Sequence, residues 1–318
     1  MIRGQKNWGA FAIATGLAFV AVTITIVRWH ILVRTLELAF SLRDALRVGY
    51  LGYAFNLMPL GLVGGDAIKA VALARLHPAR KTQAVASVLI DRVIGLVALL
   101  FLAGIGTCLL DIDKLGLKTE AARAELLSLC RAIQICALLG GAGMGLLFVP
   151  GFTTWSLWNS VARIPLVGGV IRKIMDALHI YRGRADRLLI ALVLSLAVHS
   201  LYAAMAYFLG GTLLDEVGQP TPRPALADHF TFVPIAMSAG ALPIGAFEAT
   251  LDLLYGVFLP TGSTSAAGKG LLIAILYRVV QILVAGIGMI YFVSTRGKTV
   301  MLIKSANEEK ELPPNPQD

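Results

Sequence analysis

Two short stretches place acids, bases and backbone breakers inside otherwise apolar sequence. The first holds Pro59, Gly61, Gly64, Gly65 and Asp66, with Lys69 one helical turn on and Asp91-Arg92 inside a later apolar run. The second holds Pro243, Gly245 and Glu248, and is followed by Tyr277-Arg278 in another apolar run. Charged side chains in such runs are costly in lipid unless they pair or line a wet cavity. Breakers free amides and carbonyls that hydrocarbon cannot satisfy. The chemistry open to these residues is therefore ion pairing and anion recognition, since a guanidinium fork binds carboxylate or phosphate bidentately. Two broken units in one membrane chain mark a transport site between repeats.

Each residue also has a structural role open to it. Arg92 and Arg278 either pair internally with Asp66, Asp91 or Glu248, or meet a lipid phosphate, and the two roles are compatible. Asp66 follows two glycines and suits the N-cap of a helix over 67–76, with substrate or proton contact as the other reading. Lys69 offsets its charge, and Glu248 after Gly245 has the same two readings. His199, within an apolar run, is either a hydrogen-bonded structural histidine or a proton relay. Gly61–Gly65 lacks the Gly-Lys-Ser/Thr ending of a phosphate-binding loop, and no metal-ligand spacing or Ser/His/Asp set is evident. Neither cofactor nor metal is expected. Cys108, Cys130 and Cys136 show no pairing pattern and read as small packing residues.

The elements that must position these residues follow from composition. Of 318 residues, 57% are hydrophobic and 15% charged, and the mean hydropathy is +0.76. A soluble domain averages about 25% charged residues, so the fold class is all-α, a polytopic helical membrane protein. The net charge of +9 lies in residues flanking the apolar runs, which fits lipid headgroups and excludes nucleic acid as a partner. Spans are expected at 8–27, 85–110, 127–149, 188–213 and 270–293, each near the ~20 residues a bilayer needs. The run after Lys6 is too long for a signal peptide and reads as a retained span. Residues 46–76 and 225–259 are apolar but broken, and fit re-entrant helices. Residues 1–295 form one transmembrane domain, with repeats at about 41–150 and 188–295, and 296–318 form a tail.

Basic residues set the orientation. Residues 28–81, 158–187 and the tail carry the arginines and lysines and belong in the cytoplasm, with amphipathic surface helices over 158–184. The acidic or mixed stretches 111–125 and 214–225 belong outside. The first broken segment then enters from the cytoplasm and the second from outside, the pattern of an inverted repeat. Arg92 lies on the order of 15 Å along its span and Arg278 about 13 Å along the last one, at 1.5 Å per residue. Both approach the middle of a ~30 Å core. Gly141 and Gly145 form a GxxxG that permits close helix approach.

The order Arg28-Trp29, Asn56 to Pro59, Gly64-Gly65-Asp66 to Lys69, and Ser87 to Asp91-Arg92 and Gly95 resembles the lysylphosphatidylglycerol synthase/flippase transmembrane family. Leu242 to Glu248 and Tyr277-Arg278 are similar to its second motif. Relatives often carry one more N-terminal span, an arginine where Lys69 stands, and more glycines before the glutamate. No cytosolic aminoacyl-transferase domain follows Val293, so the resemblance implies the lipid-handling half without the synthetic half. It implies an inner-membrane protein moving a phospholipid or lipid-linked headgroup between leaflets. Asp66, Lys69, Asp91, Arg92, Glu248 and Arg278 would line a central polar cavity. The expected partners are membrane lipids, either anionic phospholipid or a lipid-linked substrate, and homo-oligomerisation is left open. Rival readings are an enzyme or accessory subunit acting on lipid-linked sugars, and a small-solute transporter.

Overall fold

Apolar runs long enough for a bilayer fold as single helices in a computed structural model of the chain. It describes residues 6–57, 64–112, 115, 119–146, 179, 181, 183–214, 218–219, 221–239, 245–259 and 268–311. In chain order the α-helices among them are α1 (Trp8–Thr35), α2 (Leu42–Asn56), α3 (Gly64–Leu76), α4 (Lys81–Leu109), α5 (Glu120–Leu146), α6 (Ala185–Gly210), α7 (Leu226–Ala239), α8 (Ala246–Phe258) and α9 (Lys269–Glu311). No β-strand is present among the described residues.

Hydrocarbon offers the backbone no partner, so a spanning run must satisfy its own amides and carbonyls, as a helix does. Helices α1, α4, α5, α6 and the Lys269–Ser294 part of α9 are each long and apolar enough to cross a membrane. They coincide with the five expected spans. Their outward faces carry large apolar side chains such as Leu96, Leu138, Leu189 and Ile282, as a lipid-facing surface requires. The protein is a multi-pass helical membrane protein.

The other four helices are shorter. At 13 to 15 residues each, they reach about 20 Å, well short of a ~30 Å core. They form two pairs, one in each of two compact units: residues 26–91, 156–184 and 285–318, and residues 1–25, 92–155 and 185–284.

In the first of these units α2 and α3 run antiparallel. Ser41 caps α2 by accepting the Asp44 amide at 3.1 Å, and Asp44 pairs with Arg47 at 3.0 Å. At the far end, Asn56 Oδ1 accepts the Gly65 amide at 2.9 Å. At the base, His77 Nε2 donates to the Ala39 carbonyl at 3.0 Å. Gly52 and Gly65 let the two backbones touch, because a Cβ on Gly65 would fall on the Gly52 carbonyl and the Asn56 amide.

In the second unit α7 and α8 are the antiparallel pair. Phe232 packs on Tyr255 at 5.8 Å and on Phe258 at 5.2 Å between ring centroids. Gly245 opens α8 at φ +96°, a left-handed conformation that a side chain would strain. Helices α4 and α5 pack through small residues. A Cβ on Gly104 would lie 2.8 Å from that of Ala137, and one on Gly141 would lie 2.7 Å from the Phe101 ring. Half of the expected GxxxG is thus used within the chain, while Gly145 meets nothing within 4 Å. Lys6 forms a β-type bridge with Leu213, so the start of α1 lies beside the end of α6.

Cys130 is buried, and Cys108 and Cys136 are exposed free thiols. Pro59, Gly61 and Pro243 lie outside the described residues, as do nearly all of the surface helices expected over 158–184.

Candidate functional site

The deepest charges in the unit containing α2 and α3 lie between α1 and α4. Arg28 Nε donates to Asp91 Oδ1 at 2.8 Å, and its Nη2 donates to the Asp91 carbonyl at 3.2 Å. Arg28 is 5% exposed and Asp91 2%. Two charges taken from water at this depth hold together only with good geometry, and removing one strands the other. Beside the pair, Trp29 is fully buried and its Nε1 donates to Ser87 Oγ at 3.4 Å. Lys69 of α3 is also buried and sets its Nζ 5.2 Å from the centre of the Trp29 ring, a cation–π contact. Tyr181, buried as well, donates its hydroxyl to the Leu32 carbonyl at 3.0 Å. Residue 184 follows with an Arg184–Glu37 contact at 3.3 Å.

Asp66 stands differently from the N-cap role expected of it. Helix α3 already begins at Gly64, which puts Asp66 inside the first turn. Among the first-turn amides, that of Gly65 is accepted by Asn56 from the end of α2. Asp66 is half-buried, and its carboxylate lies where the helix dipole favours negative charge.

The second unit carries the other constellation, built on α8 and α9. Arg278 Nε donates to Glu248 Oε1 at 2.7 Å. The guanidinium carbon lies 5.2 Å from the Phe247 ring centre, and Nη1 reaches Gln281 Oε1 at 3.5 Å. Phe247 packs on Tyr277 at 5.0 Å, and Tyr277 on Tyr202 at 6.0 Å. This pair is less enclosed than Arg28–Asp91: the Arg278 side chain is 47% exposed and that of Glu248 22%. The other carboxylate oxygen of Glu248 is buried with no hydrogen-bond partner among the described residues. The exposed guanidinium edge of Arg278 can donate to an anionic group, while the unpartnered Glu248 oxygen calls for a donor.

The residues singled out from sequence divide between the units. Asp66, Lys69 and Asp91 lie in one, with Gly64 and Gly65 at the α3 start. Arg92, Glu248, Arg278 and His199 lie in the other, with Gly245 opening α8. Of the acids offered as partners for the two arginines, Glu248 takes Arg278, while Asp91 is held by Arg28. Arg92 follows Asp91 in α4 with an exposed side chain. His199 Nε2 donates to the Gly95 carbonyl at 2.9 Å, a structural bond between α6 and α4.

Sequence reasoning passed over Arg28, Asn56, Tyr181 and Phe247 as members of the site. Arg28 ends an apolar run and has the look of an interfacial charge. Its signal was Asp91, a lone acid in another span that needed a cation. Among the described residues no group of three or more His, Cys, Asp or Glu side chains could hold a metal ion.

Residues 4–288 match the family model described as the lysylphosphatidylglycerol synthase TM region. No curated protein and no solved structure matches the chain.

Proposed function

The chain belongs to the lysylphosphatidylglycerol synthase transmembrane-region family, whose model covers nearly all of it, and from that premise we propose that it moves a phospholipid or lipid-linked headgroup between leaflets. The observation that carries the reading is the Arg278–Glu248 pair. Arg278 lies nine residues into an apolar span, about 13 Å from its start, yet its side chain stays 47% exposed. Glu248 satisfies one edge of the guanidinium, and the exposed edge still needs an anion or water against it, which a phosphodiester passing through the bilayer supplies. The buried Arg28–Asp91 pair and Lys69 against Trp29 form a polar centre within the other unit. The two short-helix pairs are re-entrant hairpins of an inverted repeat, each with an acid in the first turn of its second helix. The protein resides in the inner membrane with its tail in the cytoplasm. The Lys6–Leu213 bridge supports the order of spans alone, because it puts the start of α1 and the end of α6 on one side.

The test is reconstitution into vesicles of phosphatidylglycerol and phosphatidylcholine with a trace of fluorescent phosphatidylglycerol. Dithionite quenches the outer leaflet at once, and translocation is read as the loss of the protected fraction. The wild type should expose most of the inner-leaflet probe, while Arg278→Gln should slow this at least tenfold. Protected fractions equal to those of protein-free vesicles would overturn the proposal. Equal rates for wild type and Arg278→Gln would remove Arg278 from it.

A further inference from the structure

Within the second unit, at the end of the α7–α8 pair away from Glu248, His229 is fully buried in a cage of rings. Tyr207 of α6 stands edge-on at 5.4 Å, Phe232 lies at 4.7 Å and Tyr255 of α8 at 6.0 Å, all between ring centroids. Nδ1 lies 2.8 Å from the Ala225 carbonyl. A carbonyl only accepts, so Nδ1 carries the hydrogen and Nε2 keeps its lone pair. That lone pair has no partner among the described residues. A buried acceptor left so is expensive and is retained where it has something to bind.

The charges around it are arranged against a second cation. Arg223 stacks on the Tyr207 ring at 3.8 Å and donates from Nη1 to the Tyr207 carbonyl at 2.9 Å. It thereby clasps segment 221–225 to the last turn of α6. On α7 itself the neighbouring Asp228 spends a carboxylate oxygen on the Ala225 amide at 2.8 Å. From α8, Asp252 accepts the Leu271 amide of α9 at 2.9 Å. Helix α4 meets α7 where Gly106 packs on Thr231, and the titratable group nearest in sequence there is the exposed Cys108 thiol. No carboxylate among these is committed to His229.

We propose that His229 is a proton-binding site, and that its protonation releases the Arg223 clasp and loosens the base of the α7–α8 hairpin. A proton on Nε2 gives the ring a full charge inside an apolar cage, with Tyr207 already shared by a guanidinium. One of the two cations must leave. Escape of Arg223 frees segment 221–225, and escape of His229 opens the cage itself. By the orientation above, this end faces outside, so the site senses external acid. The consequence for transport rests on the translocation reading, but the proton site does not.

The experiment uses the full chain in detergent and in vesicles. Melting temperature is followed from pH 8 to pH 4.5 for wild type, His229→Gln and Arg223→Gln. The folded chain resists a proton at His229 that the unfolded chain accepts near the ordinary histidine value of ~6.5. Stability from this group is therefore complete above that value and is lost as pH falls below it. The wild type should lose several degrees more than His229→Gln between pH 7 and pH 5, and Arg223→Gln, which lets the folded ring accept a proton more readily, should lose less than the wild type. Superposable wild-type and His229→Gln profiles would overturn the proton site. Burial lowers the folded His229 pKa to about 4, so in vesicles external acidification from pH 7 to pH 4 should change wild-type probe translocation severalfold and leave His229→Gln unchanged. Equal responses would overturn the gating role. No translocation by any variant sinks the transport reading instead and leaves the melting data to decide the site.

Discussion

Asp91→Ala should be among the most destabilising single changes in the chain. The substitution removes the carboxylate that accepts Arg28 Nε at 2.8 Å, and it leaves the guanidinium with its 3.2 Å bond to the residue 91 carbonyl. With Arg28 5% exposed, water cannot easily replace the lost partner. Stranding one member of a buried pair costs about 3–5 kcal/mol. At about 2–4 °C per kcal/mol for a mid-sized domain, the melting temperature in detergent should fall by roughly 6–20 °C. The double variant Arg28→Met/Asp91→Leu removes both charges and should recover most of that loss, since apolar replacement of a buried pair is often neutral or better. Arg28→Lys keeps the charge but loses the second bond and should fall between. If Asp91→Ala melted within 2 °C of wild type, or the double variant melted as low as the sum of the single losses, the buried-pair reasoning would be refuted.

Gly65→Ala should cost about 1–3 kcal/mol by forcing α2 and α3 apart, whereas Gly143→Ala, which meets nothing within 4 Å, should melt as wild type does. Gly245→Ala places a side chain at φ +96° and should cost about 1–2 kcal/mol, read by the same melting assay. Tyr181→Phe loses one buried hydrogen bond to Leu32 and should cost about 1 kcal/mol, with earlier proteolysis of segment 179–184 as the local sign. For topology, single cysteines at Ser156 and Lys118 in a background without native cysteines should label from opposite sides with an impermeant thiol reagent. Labelling of both from one side would overturn the orientation.

The five spans were legible because a run of some 20 apolar residues has one low-cost fate in lipid. The broken segments were legible for the same reason in reverse, since Gly64-Gly65 and Gly245 are costly inside a helix unless the chain must turn or approach closely there. Pairing was harder to read. Glu248 was one of three acids open to Arg92 and Arg278, and it takes Arg278 from the preceding helix, but Arg28 and Asp91 are joined across 63 positions, and sequence spacing does not encode which helices become neighbours. Asp66 was misread for a related reason. The acid-after-glycine pattern suits a cap, but Asn56 reached in from a separate helix and took that task one residue earlier. His229 gave only the signal of a histidine beside an acid, and its aromatic cage is assembled from α6, α7 and α8.

The separation between Arg28 and Asp91 also sets a schedule for biogenesis. Synthesis at about 5–20 residues per second leaves Arg28 without its carboxylate for roughly 3–13 s after α1 has been made, because 63 positions must still be translated. Tyr181 comes later still, 149 positions after the carbonyl it binds. Through that interval α1 holds an arginine near its C-terminal end that can stay at the headgroup level, where a long cationic side chain is tolerated. Docking of α4 then draws it inward. A ribosome stalled between these helices would leave the nascent chain tethered at the interface by an unsatisfied cation, a state that membrane quality control could recognise.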